Sequence, residues 1–135
     1  MTTEVIVGGD VVALIRAYML EVGFAPWTGV KVLNRRPNPT TGRVVVIRRS
    51  GGTQGDLVTD AAFVTFECFA KTSADAMALA MRAYAICQSM KHQTVDGVQC
   101  YRVDTLAAPA DHYDAEAQVE RFTFSMQPHF RAAAI

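Results

Sequence analysis

The chain has 135 residues, with 13 basic and 13 acidic side chains, 50% hydrophobic and 19% charged residues. That length supports one domain, whose folding would bury about two-thirds of the extended chain's surface. The composition excludes a disordered chain, and zero net charge argues against a bulk nucleic-acid or membrane-surface binder.

In chain order, Gly8-Gly9-Asp10 reads as a helix start with Asp10 as N-cap. Val11, Leu14, Ile15, Tyr18 and Val22 follow at helical spacing and Gly23 is a natural stop, so the first helix is expected over 10–22. Pro26-Trp27-Thr28-Gly29 reads as a turn and 30–34 as a short strand. The stretch 35–42 is dense in breakers and reads as a loop. Val44-Val45-Val46-Ile47 is a β-branched run within a strand over 43–49, expected to form a long-tipped hairpin with 30–34.

Residues 50–60 hold three glycines and two aspartates and read as a second, mobile loop. The strand over 61–70 alternates clearly. Ala62, Val64, Phe66, Cys68 and Ala70 share one face; Phe63, Thr65, Glu67 and Phe69 share the other, which is also not polar and so must also meet something. Thr72 or Ser73 caps a second helix over 74–90. Met77, Ala80, Met81, Tyr84 and Cys87 form one stripe; Leu79, Ala83, Ile86 and Met90 form another. A helix apolar nearly all round is expected to pack on more than one side, against the first helix or another subunit. Asp96-Gly97 marks a turn, 98–107 a strand, 109–117 a loop and 118–127 a last strand. The expected fold is α+β, a single domain over 1–135. Two helices pack on a mainly antiparallel sheet of about five strands, in the order α-β-β-β-α-β-β.

The charged fraction falls below the usual quarter or so of a globular domain, which points to surface covered by a partner. No apolar run reaches the roughly 18 residues of a membrane span, and Met1-Thr2-Thr3-Glu4 lacks the basic region of a secretory signal; a cytoplasmic place of synthesis is expected. Cys68, Cys87 and Cys100 lie singly in apolar patterns and read as reduced core residues. His92, His112 and His129 stand alone, without metal-ligand spacing. Gly51-Gly52-Thr53-Gln54-Gly55 lacks the Gly-Lys-Ser/Thr of a phosphate loop, and no Gly-x-Ser-x-Gly elbow occurs. Asp111, Asp114 and Glu116 lack the spacing of a calcium loop and read as solvated acids. The sequence therefore offers no catalytic, cofactor or metal site.

Charge is segregated, however. No acid lies between Glu21 and Asp56, a stretch that carries Lys31, Arg35, Arg36, Arg43, Arg48 and Arg49. Removing these six leaves seven basic against 13 acidic residues, a net of −6 elsewhere. The five arginines are the candidate partner interface, meeting acidic groups of a neighbouring copy or another protein; phosphates of a nucleic acid are the other possibility, and a solvated basic face the plainest.

The order of features carries a resemblance. An N-terminal helix and a strand pair precede Val45-Val46-Ile47-Arg48-Arg49-Ser50-Gly51-Gly52. Asp60-Ala61-Ala62-Phe63-Val64-Thr65-Phe66-Glu67-Cys68-Phe69-Ala70 and the helix start Ser73-Ala74-Asp75-Ala76-Met77-Ala78-Leu79-Ala80 come next. Pro109-Ala110-Asp111 then leads to Glu120-Arg121-Phe122-Thr123-Phe124-Ser125-Met126. Over roughly residues 10–131 this resembles the tail terminator proteins of long-tailed bacteriophages, also described as minor tail or tail-completion proteins. Arg49-Ser50-Gly51-Gly52 stands where Arg-Thr-Gly-Gly is commoner. The resemblance implies no enzyme activity and no cofactor. It implies a homohexameric ring in the virion, at the head-proximal end of the tail, assembled in the bacterial host cytoplasm. The ring's partners would be the tail-tube protein and the head–tail connector, with no membrane and with DNA only passing through the lumen. Alternatives are a head-completion, connector or tail-tube protein, and a small α+β nucleic-acid-binding module.

Overall fold

A computed structural model describes residues 6–56 and 59–134. Its fold is α+β, with two helices and a six-stranded mixed sheet. The elements are β1 (Ile6–Val7), α1 (Val11–Val22), β2 (Lys31–Leu33), β3 (Val44–Asp56), β4 (Thr59–Ala70), α2 (Ser73–Ser89), β5 (Thr94–Val95), β6 (Val98–Asp111), β7 (Glu120–Arg131) and β8 (Ala133–Ala134). The large sheet runs β2-β3-β4-β7-β6-β5, while β1 and β8 pair antiparallel and tie the two ends of the described chain together.

Both helices begin where the sequence places their caps. Asp10 accepts the Ala13 N–H at 3.0 Å, and Thr72 Oγ1 accepts the Asp75 N–H at 3.1 Å. Gly23, at φ 81°, ends α1 with its N–H on the Met19 carbonyl at 2.9 Å. The main core lies between the helices and one sheet face. Ala62, Val64, Phe66, Cys68 and Ala70 meet Leu79, Ala83 and Ile86 of α2 and Val11, Ile15 and Met19 of α1 there. Phe66 stacks on Phe124 with ring centroids 4.4 Å apart, and Tyr84 meets Phe124 edge-on.

The expected hairpin between the first two strands is a parallel pair, with Lys31, Val32 and Leu33 beside Val44, Val45 and Val46. Parallel neighbours usually need a crossover of a dozen or more residues. Here β2 is only three residues long, so a strand of roughly 10 Å is retraced by the short segment 34–43. That segment runs over the face opposite the helices. It covers a small second core of Val44, Val46 and Phe69, against which Leu33 and Val119 pack. Phe69 is therefore buried although it faces away from the helices.

The glycine-rich segment expected as a loop is mostly strand: β3 runs on to Asp56 and pairs with β4. Residues 57 and 58 of that expectation lie outside the described residues. Register shifts between Arg49 and Gly51, and between Gln54 and Asp56, mark bulges that absorb extra residues. Gly52 sits at φ 144°, and a Cβ there would lie 2.4 Å from the Ala61 carbonyl oxygen. Glycine is what lets the two strands approach at that point. Likewise, β6 extends through Pro109 to Asp111 where a loop was expected. Proline is tolerated there because β6 lies on the outer side of the sheet, its ladder to β7 already broken by bulges. The sheet thus has six strands and is mixed, rather than about five and mainly antiparallel.

Candidate functional site

Strand alternation decides where the candidate arginines go. Val45 and Ile47 face the helices, so Arg49 lies on that side and Arg48 on the other, with Val44 and Val46. The antiparallel register sets β4 acids within reach of both. Arg49 makes a two-pronged pair with Asp60, its terminal nitrogens donating at 2.9 and 2.7 Å, which holds its pKa above the usual value. Arg48 Nε lies 3.3 Å from Glu67, which Arg121 of β7 also reaches at 3.2 Å.

The loop arginines are tied down differently. Arg36 Nη1 donates to Asp114 at 2.6 Å and its Nε to Thr40 Oγ1 at 2.9 Å, while the guanidinium lies 4.9 Å from the Phe69 ring centroid. This clamps 34–43 onto the turn joining β6 to β7. Asp114 also accepts the Ala117 N–H, and that bond, with Arg36, holds its carboxyl below the ordinary carboxylate range. Arg43 stacks on Trp27 at 4.9 Å and reaches Asp75, at the start of α2, at 3.6 Å. Its Nε is buried without a hydrogen-bond partner among the described residues. Arg35 is exposed and has no carboxylate partner among the described residues.

Four of the five candidates therefore meet acids within their own chain. The structure brings three of them, Arg35, Arg48 and Arg49, to one cleft of about 660 Å³ on the outer edge of β3, just past the end of β2. Arg36 and Arg43 are not part of it. The cleft's other wall is the first turns of α1, which adds Arg16, a residue outside the acid-free stretch that singled out the others. Arg16 is positioned by its Nε, which donates to the Val32 carbonyl at 2.6 Å. Its signal in the sequence is weak: a lone cation on a mostly apolar helix. Among the described residues the lining holds a single carboxylate, Asp10, which is engaged as the α1 cap.

The remaining chemistry-bearing residues have local partners. Burial raises all three thiols above their ordinary range, Cys100 to about 11, so none is a thiolate at neutral pH. His129 Nε2 lies 3.0 Å from Asp104, and His112 meets Thr123. Among the described residues, no group of three or more His, Cys, Asp or Glu side chains is arranged to hold a metal ion.

Two further surfaces stand open. Beyond the short pairing with β5, the outer edge of β6 from Tyr101 to Asp111 has no strand neighbour among the described residues. On α2, Arg82 and Ser89 hold one flank to α1 through Gly23 and Tyr18, while Met77 and Met81 on the other flank stay half exposed. No protein-family model matches the chain, and no curated protein matches it either.

Proposed function

We propose that this chain is a virion assembly protein of a long-tailed bacteriophage. In this reading it is a tail terminator, whose subunits form a ring, taken as a hexamer, on the last ring of tail-tube protein. The ring stops polymerisation and offers a surface to the head–tail connector. Its observed basis is a subunit with unlike open surfaces on the two edges of one sheet. An arginine-lined cleft lies beside β3, and a strand edge unpaired among the described residues lies along β6. Unlike surfaces on one subunit join head to tail, and such contacts close into a ring or run on as a filament. The half-exposed Met77 and Met81 and the low charged fraction are what a subunit covered by neighbours would carry.

Deletion of the gene tests the reading. Electron microscopy of the lysate should show filled heads apart from tails, and tails of abnormal length. Normal tails beside empty heads would place the protein at another assembly step. The second reading, a small nucleic-acid-binding module, draws on the same cleft, since guanidiniums pair with phosphate as readily as with carboxylate. Tight binding of short duplex or single-stranded nucleic acid at physiological salt would favour it.

A further inference from the structure

Among the described residues, two of the four arginines of the cleft beside β3 are left without a carboxylate partner. Arg48 and Arg49 pair with the carboxylates of Glu67 and Asp60, but Arg16 and Arg35 have no such partner among the described residues. Elsewhere the opposite imbalance occurs. The turn between β6 and β7 carries Asp111 and Glu116, both exposed and without a basic partner among the described residues, beside the half-exposed Tyr113. The base of this turn is pinned: Asp114 pairs with Arg36 at 2.6 Å, and the Asp114–Val119 bridge closes it. The clamp holds the turn against 34–43 and leaves Asp111 and Glu116 exposed on its outer side.

We infer that the cleft formed by Arg16, Arg35, Arg48 and Arg49 receives the acidic 111–116 turn of a second copy of this chain. The contact is head to tail, because cleft and turn are different surfaces of each subunit. Several guanidiniums meet two carboxylates there, and Tyr113 supplies apolar area next to them. The inference rests on the ring-forming reading and names the contact that joins the subunits.

Complementary charge reversal tests it. One protein carries Arg35→Glu and Arg48→Glu; a second carries Asp111→Lys and Glu116→Lys; a third carries all four changes. Circular dichroism checks that each is folded, and Arg35→Glu against Glu116→Lys serves as a milder pair. Sedimentation over a range of concentration and salt should show the wild type self-associating, more weakly as salt rises. Each double variant alone should associate about tenfold more weakly or worse. Association should return when the two double variants are mixed, and in the fourfold variant. A wild type that stays monomeric, association indifferent to both reversals, or no recovery on mixing would overturn the inference. Cleft-dependent binding of a short DNA duplex, without self-association, would overturn it in favour of phosphate. The two proposals fail separately. Rings that cap tail tubes yet ignore both reversals refute the contact and keep the terminator reading. Salt-sensitive, cleft-dependent oligomers that leave tube growth unchanged do the reverse.

Discussion

Gly52 and the three cysteines show what single positions contribute. Gly52 occupies a backbone region that only glycine enters freely, and the Ala61 carbonyl stands where a Cβ would go. Gly52→Ala should therefore destabilise the fold by about 1–3 kcal/mol, read as a lower denaturation midpoint with an unchanged slope. The cysteines make a prediction about pH. Burial holds the Cys100 thiol neutral, with its folded pKa raised from 9.0 to about 11. A raised folded pKa means a stabilising contribution that is complete below pH 9 and is lost as pH rises from 9 towards 11. Unfolding midpoints should fall across that window, and less steeply in Cys100→Ala, where only Cys68 and Cys87 keep the effect. In the native protein near neutral pH, all three thiols should resist alkylation.

At the scale of elements, the 34–43 crossover and α2 are the informative pieces. The crossover is held by Arg36, through Asp114, Thr40 and the Phe69 ring. Because the Asp114 carboxyl is depressed when folded, its contribution exists above the ordinary carboxyl pKa of 3.8 and disappears as pH falls through the lower folded value. Asp114→Asn should lower the hydrogen-exchange protection of 34–43, relative to the intrinsic rate at the same pH, at neutral pH, and acid should lower it in the wild type; unchanged protection in both would show that the clamp is idle. The two flanks of α2 differ. Met77→Gln with Met81→Gln removes no buried contact, so stability should stay within about 0.5 kcal/mol. Assembly on the tube should weaken if that flank is covered there. Phe66→Ala, by contrast, breaks the stack on Phe124 and should cost about 3–5 kcal/mol.

Across the whole molecule, what the sequence disclosed was local. The caps at Asp10 and Thr72, the alternation of β4 and the Asp96-Gly97 turn depend on neighbours within a few residues. What it concealed was set by distant partners or by one property masking another. A β-branched run pairs equally well parallel or antiparallel, so Val44 to Val46 could not announce β2 as a parallel neighbour. Glycine enrichment signals a turn, yet Gly51 and Gly52 serve a bulged strand. The segregation of arginines was visible; their pairing was not, because Arg36 meets a carboxylate 78 positions away and Arg16 joins the cleft from another element. The central claim, a ring that ends a tail tube, is tested most directly by imaging tubes grown from the tail-tube protein with the purified chain present. The account predicts shortened tubes with a six-fold ring of this chain at one end only. Tubes of unchanged length, or this chain distributed along their walls, would contradict it.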